Sequence, residues 1–185
     1  MASISVTESF PTINEEKAKT KLTVQIVEDF KTLGSSPLPL PASVPRPTVG
    51  FCAMGSAPFT EENDFTAPVA FGKSCEASGV RSMFLVSSTG AKTGSVFGYV
   101  DTLGRREDAY KLMGFGRLGI FRPGMMDRQE KSQTRLKEKI FGALIPTRFI
   151  IDTRDIARSM VIAAKTMKDG THSFDSDDMK QITRL

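Results

Sequence analysis

The sequence contains few of the side chains that most often bind metals or act as nucleophiles. It has a single histidine, His172, and two cysteines, Cys52 and Cys75. Zinc sites draw on several cysteine or histidine ligands, so a site built on several imidazoles is excluded and no metal site is predicted. Two cysteines cannot form a disulfide framework, and we interpret them as reduced thiols of an intracellular protein.

The charged residues are mixed in sign along the chain. Lys and Arg number 25 against 21 Asp and Glu, which gives a net charge of +4 and a pI near 9.1. Trp is absent and Tyr occurs twice, so the chain has little to stack on bases. We therefore expect no nucleic-acid partner. No apolar run reaches the roughly 18 residues of a membrane span, so no transmembrane segment is predicted.

The apolar pattern alternates between short strands and longer helices. The 185 residues suffice for one domain or slightly more. Apolar runs that end at Gly or Ser predict parallel strands near 49–53, 82–87 and 117–121. Helical patterns lie near 64–78, 101–113 and 153–168, and a short acidic helix begins at Ser176. This alternation indicates an α/β domain with a mainly parallel sheet flanked by helices, whose ligand sites lie at the carboxyl ends of the strands.

The first 47 residues differ in composition from the rest. Residues 1–20 form a polar N-terminal arm whose three glutamates argue against an acid-poor transit peptide, so we expect an uncleaved N-terminus. Leu22–Glu28 alternates and predicts a strand. Residues 35–47 are rich in proline and are interpreted as a stiff connector, since the PxxP spacing of SH3 ligands is absent. The chain thus divides into the arm and a domain over 21–185.

Several motifs then follow one another in an order that is typical of one family. They are Val49-Gly-Phe-Cys-Ala-Met-Gly55, Phe84-Leu-Val-Ser-Ser-Thr-Gly-Ala91, Tyr99, and Phe121-Arg-Pro-Gly124 followed by Asp127-Arg128-Gln129-Glu130. From about Lys21 to the C-terminus, the chain resembles the atypical short-chain dehydrogenase/reductase (SDR) family of the HIV Tat-interacting oxidoreductase. The resemblance implies an NAD(P)-binding Rossmann fold.

The resemblance also implies where a catalytic centre and a cofactor would lie. Ser88 and Tyr99, with Ser87 beside them, match the family's serine and its tyrosine general acid. The positions that correspond to the cofactor side are Ala53, Met54, Gly55, Pro123 and Gly124, with Asp29 near the adenine.

Two departures from the family pattern argue against a catalytic role. Leu103 stands four residues after Tyr99, where the family's YxxxK pattern has the lysine that lowers the tyrosine pKa and holds the nicotinamide ribose. Bringing a phenol from a pKa of about 10 to about 7 requires roughly 4 kcal/mol, which an apolar side chain cannot supply. The Gly-rich turn GxxGxxG that would bind the pyrophosphate is not found before Leu22. We therefore expect an incomplete Rossmann-like sheet that lacks the first βαβ phosphate-binding unit, and no cofactor beyond a vestigial NAD(P) site.

The sequence leaves two functions open. The first is a non-catalytic, SDR-like accessory or structural subunit of a larger protein assembly, which other chains contact through residues 1–47 and through the basic stretch 131–141. The second is an NAD(P)H-dependent oxidoreductase whose Gly-rich half is missing from this chain or supplied by another. We favour the first. A mitochondrial or other organellar assembly is compatible with it, and the cytoplasm is the alternative compartment.

Overall fold

The computed structural model describes residues 33–34, 36–40, 42, 45–127 and 150–184. Four sequence predictions therefore lie outside the described residues. They concern the arm over 1–20, the strand Leu22–Glu28, the adenine-side residue Asp29 and the basic stretch 131–141.

Four parallel strands form the central sheet. They are β1 (Val49–Cys52), β2 (Ser82–Val86), β3 (Arg117–Phe121) and β6 (Gly170–Phe174), and they lie side by side in the order β1-β2-β3-β6. Two shorter strands, β4 (Met125–Asp127) and β5 (Ile150–Asp152), form a separate parallel pair. The predicted parallel α/β architecture is confirmed. The pairing of β4 with β5 was not predicted, because strands of three residues show too little alternation to be recognised.

Helices connect the strands of the sheet. They are α1 (Ala67–Ala77), α2 (Gly98–Lys111), α3 (Thr153–Thr166) and α4 (Ser176–Ile182), and a π-helical turn over Glu62–Thr66 precedes α1. Each helix predicted within the described residues is present, with ends that differ by up to three residues. Asp152 caps α3 by accepting a hydrogen bond from the Arg154 N–H at 2.8 Å. No helix in the described part of the chain is long and apolar enough to cross a membrane.

Alternating side chains of the strands bury both faces of the sheet. On one face, Met83, Leu85, Leu118 and Ile120 pack with Tyr110 of α2. On the opposite face, Phe84 and Phe121 pack against Ile156 and Met160 of α3 and Met179 of α4. These two apolar layers fix the strand ends and therefore the loops that follow them.

The Pro-rich connector contacts the outside of α1. The Ser74 hydroxyl donates a hydrogen bond to the Ser36 carbonyl, and the Leu38 N–H donates to the Ser78 hydroxyl at 2.7 Å. Leu33, just before the connector, is 5% exposed. The connector's described residues contain neither helix nor strand. Hydrogen bonds to Ser74 of α1 and to Ser78, the residue that ends this helix, hold it in place.

Among the described strands, β1 has a neighbour only on its β2 side. Its Phe51 stacks on the buried Phe84 with ring centroids 5.4 Å apart, yet Phe51 remains 44% exposed. The apolar layer of the sheet therefore reaches solvent at this edge of the described structure.

Candidate functional site

The carboxyl ends of β1, β2 and β3 bring three of the predicted site segments to one edge of the sheet. Ala53–Gly55 follow β1, Ser87 and Ser88 follow β2, and Arg122–Gly124 follow β3. A main-chain hydrogen bond from Thr89 N–H to the Pro123 carbonyl, 2.9 Å long, joins the second segment to the third. Parallel pairing of neighbouring strands causes this juxtaposition.

The tyrosine and the position one helical turn after it have opposite environments. Tyr99 lies in the first turn of α2 and is 43% exposed, with its ring edge-on to Phe59 at a centroid distance of 5.8 Å. Its hydroxyl makes no hydrogen bond with a described residue. Leu103 is 2% exposed. The position that corresponds to the family's lysine is thus an interior position, where an ammonium group would be costly without a partner.

The two serines after β2 have different partners. The Ser87 hydroxyl is buried and donates a hydrogen bond of 2.6 Å to Glu107. The Ser88 hydroxyl lies 3.4 Å from the carbonyl of the adjacent Thr89, which is a weak contact. Ser88 and Tyr99 share no hydrogen bond in this structure. The structure therefore does not join them into a proton-transfer pair.

Two arginines follow Leu103 on α2, and both are engaged elsewhere. Arg105 pairs with Glu61 at 2.8 Å and Asp101 at 3.0 Å, and the hydrogen bond to Glu61 is the main reason that its pKa is raised. Arg106 is 2% exposed and donates to the backbone carbonyls of Met54 at 3.1 Å and Val86 at 2.6 Å. Neither guanidinium is therefore positioned to replace the missing lysine beside Tyr99.

A buried carboxylate that the sequence analysis did not single out organises the centre of this edge. Glu107 is 1% exposed and accepts hydrogen bonds from the Ser87 hydroxyl and, in a bidentate arrangement, from Arg122. The hydrogen bond to Glu107 is the main reason that the pKa of Arg122 is raised. The sequence offered one signal for this ion pair, namely an acidic residue, Glu107, on a predicted helix and an arginine, Arg122, directly after a predicted buried strand. That signal is weak, because either residue is common on a protein surface.

Asp64, a second buried carboxylate, closes the loop after β1. It is 2% exposed and accepts hydrogen bonds from the Ser56 N–H at 3.3 Å, the Ser56 hydroxyl at 2.6 Å and the Thr60 N–H at 3.0 Å. The loop carries Ala53, Met54 and Gly55, the positions that match the family's cofactor side. Two of its main-chain N–H groups are therefore already bound to a carboxylate, which disfavours an additional phosphate there.

Pro123 and Gly124 also have structural partners. The Pro123 carbonyl accepts the hydrogen bond from Thr89, and the Gly124 N–H donates to the Ser176 hydroxyl at 2.9 Å. Ser176 is the first residue of α4. These two residues thus link the end of β3 to the loop after β2 and to the last helix.

The two cysteines are buried thiols. Cys52 and Cys75 are each 1% exposed and are not joined by a disulfide. Burial, aided by the neighbouring Cys52, raises the pKa of the Cys75 thiol to about 12. Within the residues that the structure describes, no group of three or more His, Cys, Asp or Glu side chains is placed to hold a metal ion.

Comparison with curated proteins identifies the family. Fmp52-2, a mitochondrial protein of Aspergillus terreus, is 30% identical to this chain over 159 residues, which are 76% of the chain and 69% of the relative. The chain belongs to this family. Fmp52 of Aspergillus niger, also a mitochondrial protein, is 31% identical over 134 residues, and protein HTATIP2 of Rattus norvegicus is 33% identical over 107 residues. The chain is therefore a divergent, HTATIP2-like member of the SDR superfamily, as its motifs predicted.

Solved structures agree with the fold of this SDR chain. A Bacillus halodurans protein assigned as an NAD-dependent epimerase/dehydratase superposes with a TM-score of 0.54 at 20% identity, over 78% of this chain and 71% of that one. MoeE5, solved in complex with UDP-glucuronic acid and NAD, gives a TM-score of 0.53 at 13% identity and covers 69% of this chain. These likenesses establish the Rossmann-like fold. No protein-family model matches the sequence.

The SDR chain spans only part of these proteins. It covers 56% of the Aspergillus niger relative, 43% of the rat protein and 56% of MoeE5. The activities and ligands of those longer proteins therefore do not transfer directly to it.

Proposed function

We propose that this SDR chain is a non-catalytic, SDR-like module that serves as an accessory or structural subunit of a larger protein assembly. The observation that carries the proposal is the buried Leu103 at the position of the family's lysine. Tyr99 lies one turn before it on α2, with an exposed ring and no hydrogen-bond partner among the described residues.

The reasoning from Leu103 is energetic. A tyrosine that acts as a general acid near neutral pH needs about 4 kcal/mol of stabilisation of its phenolate. A lysine one turn away would supply a positive charge, whereas Leu103 supplies none, and Arg105 and Arg106 are bound to other groups. Tyr99 therefore lacks a nearby cation that could activate it.

The described residues also fit a dinucleotide poorly. The loop after β1 has its Ser56 and Thr60 N–H groups bound to Asp64, and no turn with the GxxGxxG spacing joins a strand to a helix N-terminus within the described ranges. Such a turn is what neutralises a pyrophosphate in this fold. We propose that the chain binds NADH and NADPH weakly or not at all, and that Ala53, Met54, Gly55, Pro123 and Gly124 are vestiges of a site.

Titration and turnover measurements on the purified full chain test the catalytic half of the proposal. Isothermal titration with NADH and NADPH should give no micromolar binding, and a panel of small carbonyl compounds should cause no NADPH oxidation. Tyr99→Phe should therefore change nothing. Leu103→Lys should restore no activity and should destabilise the core, with Leu103→Met as the control that keeps an apolar side chain. NADPH oxidation that Tyr99→Phe abolishes would refute the proposal.

The assembly half of the proposal rests on the composition of residues 1–47 and 131–141. The arm over 1–20 and the Pro-rich connector over 35–47 have too little apolar content to fold alone, and the stretch 131–141 is basic, so we propose that residues 1–47 and 131–141 contact other chains. Because the two fungal relatives are mitochondrial proteins, we propose a mitochondrial assembly. Fractionation of the source cells tests the compartment, and a cytoplasmic pool alone would contradict it.

Deletion variants test the contribution of the N-terminal residues. The full chain should elute from native extracts in a complex larger than the monomer. Deletion of residues 1–47 should abolish incorporation of the chain into this complex. Deletion of residues 1–32 is the matched variant, since it keeps the buried Leu33 and the hydrogen bonds that Ser36 and Leu38 make with Ser74 and Ser78. If both truncated chains still co-purify with every partner, residues 1–47 are not the contact.

The alternative is an NAD(P)H-dependent oxidoreductase whose Gly-rich half is missing from this chain or supplied by another polypeptide. It is supported by the aligned carboxyl ends of β1, β2 and β3, the edge at which ligands bind in this fold. The same turnover assay separates the two functions when it is repeated on the native complex. Activity that appears only in the complex and depends on Tyr99 would favour the alternative.

A further inference from the structure

The opposite end of the sheet contains a cleft that the proposed function does not use. It has a volume of about 250 Å³ and opens between the amino ends of the four parallel strands. Its polar lining consists of Thr48 before β1, Arg81 and Ser82 at the start of β2, Gly116 and Arg117 at the start of β3, and Asp169 before β6.

Arg117 is a rigid cation on one side of this cleft. Its guanidinium is half-buried and donates to the Ser82 hydroxyl at 2.9 Å and to the carbonyls of Ala164 at 3.3 Å and Met167 at 3.2 Å. No described carboxylate pairs with it within 4.0 Å. The three bonds fix the guanidinium before any ligand arrives, so binding costs little side-chain entropy.

Arg81 is a second cation beside it. Its side chain is exposed, and within the described ranges it has neither a hydrogen bond nor an ion pair. One of its terminal nitrogens lies 3.9 Å from the position that a Cβ atom at Gly116 would occupy. The glycine therefore leaves room for the guanidinium to turn into the cleft. Asp169 is the only carboxylate in the described lining, so the cleft carries an excess of one positive charge.

We propose that this cleft binds a phosphate monoester of a small hydroxylated molecule. Guanidinium groups present planar pairs of donors that match phosphate oxygens. Arg81 binds the phosphate with such a pair, and Arg117 adds its second terminal nitrogen, which makes none of the three hydrogen bonds described above. The Asp169 carboxylate accepts a hydrogen bond from a hydroxyl of the same ligand. The volume lies slightly below the usual range of small-molecule pockets, which suits a sugar phosphate and leaves the base of a nucleotide outside.

Calorimetric titration of the full chain with four probes tests the site. The probes are inorganic phosphate, ribose, ribose 5-phosphate and adenosine 5′-monophosphate. Ribose 5-phosphate should bind saturably and more tightly than inorganic phosphate, ribose should not bind, and the monophosphate should bind no more tightly than ribose 5-phosphate. If adenosine 5′-monophosphate binds more tightly than ribose 5-phosphate, the predicted position of the base is wrong. If neither inorganic phosphate nor ribose 5-phosphate binds, the proposed site is wrong.

Three variants locate the binding. Arg81→Ala should weaken ribose 5-phosphate binding by about tenfold or more. Arg158→Ala removes the same charge from an exposed position on α3 outside the cleft and should change nothing. Asp169→Ala should weaken ribose 5-phosphate binding but strengthen inorganic phosphate binding, because it removes both a hydroxyl acceptor and a repelling charge. Equal affinities in the two arginine variants would overturn the site, and parallel changes for both ligands in Asp169→Ala would overturn the hydroxyl contact. These outcomes do not depend on whether Tyr99 is catalytic.

Discussion

Replacement of Glu107 by glutamine should destabilise the fold by about 2–3 kcal/mol. The carboxylate is 1% exposed and accepts hydrogen bonds from the Ser87 hydroxyl and two nitrogens of Arg122. The glutamine amide keeps the shape of the carboxylate, but its N–H₂ group would face one of the hydrogen-bond donors. It also lacks the negative charge that compensates the guanidinium of Arg122. Because the Arg122 side chain is 34% exposed, water offsets part of the loss, and the cost falls below the 3–5 kcal/mol of a fully buried pair.

Urea denaturation followed by far-ultraviolet circular dichroism measures this loss. A cost of 2–3 kcal/mol corresponds to a fall in Tm of about 5–10 °C for a domain of this size. Asp108→Asn is the matched control on the same helix, because Asp108 is exposed and bonds only Thr93 and Lys111 among its described neighbours. Its cost should stay below about 1 kcal/mol.

A double-mutant cycle separates the ion pair from general damage to the core. Arg122→Met alone leaves the Glu107 carboxylate buried without its cation, whereas the same change in the Glu107→Gln background removes no ionic partner. The coupling free energy should reach about 1.5 kcal/mol or more. If Glu107→Gln denatures at the same urea concentration as Asp108→Asn, or if the cycle shows no coupling, the buried pair does not organise this edge.

Three further changes have outcomes that the structure predicts. Gly104→Ala should lower the free energy of unfolding by about 3 kcal/mol in urea denaturation, because the new Cβ would lie 2.2 Å from the Thr93 nitrogen. Gly98→Ala is the control and should be tolerated, because its Cβ would meet no atom within 4 Å. Equal costs in the two variants would contradict the close packing at Gly104. Asp152→Ala should cost about 1 kcal/mol through the lost helix cap. The hydrogen bond from Arg154 lowers the pKa of Asp152 in the folded protein. The stability that Asp152 contributes is therefore present above the pKa of the unfolded state and is lost as the pH falls through the pKa of the folded state. Parallel curves of stability against pH for the wild-type protein and Asp152→Ala in an acid titration would refute this. The Cys75 thiol, with a pKa raised to about 12, should resist alkylation at about pH 8 until urea unfolds the chain. Because the unfolded thiol ionises from about pH 8.5, Cys75 should also reduce stability progressively between that pH and about 12, and Cys75→Ala should lessen this decline.

Strands β1, β2 and β3 and the helices that follow them could be predicted from the sequence, because these strands are short apolar runs followed by Gly or Ser. The fourth strand of the sheet, Gly170–Phe174, was not predicted, because its residues are mostly polar and none of them is buried. Arg117–Phe121 was predicted to the residue, and α3 was predicted to start at Thr153. The ends of the other helices could not be predicted to the residue, since the apolar pattern does not fix where the last turn of a helix stops. Gly98–Lys111 begins three residues before the predicted 101, which places Tyr99 inside the helix.

The site was predictable in part. The motifs identified the segments after β1, β2 and β3, and the parallel sheet brings those segments together. The partners of individual side chains could not be predicted, because they depend on which face of α2 is buried. The sequence alone could not show that Arg106 binds backbone carbonyls or that Glu107 pairs with Arg122, since both contacts join residues far apart in the chain. The roles of Tyr99, Ser88 and the vestigial cofactor positions stay predictions until the variants are measured.

Within the described part of the chain, β1 has no strand on the side away from β2, and this has a practical consequence for handling the protein. A sheet edge with a half-exposed phenylalanine is a template onto which further strands can add. In the purified chain, we expect association that rises with protein concentration and weakens when Phe51 is replaced by lysine. Such association would imitate a genuine complex during gel filtration. Size measurements on this chain therefore carry information about its native partners only when they are repeated across a dilution series.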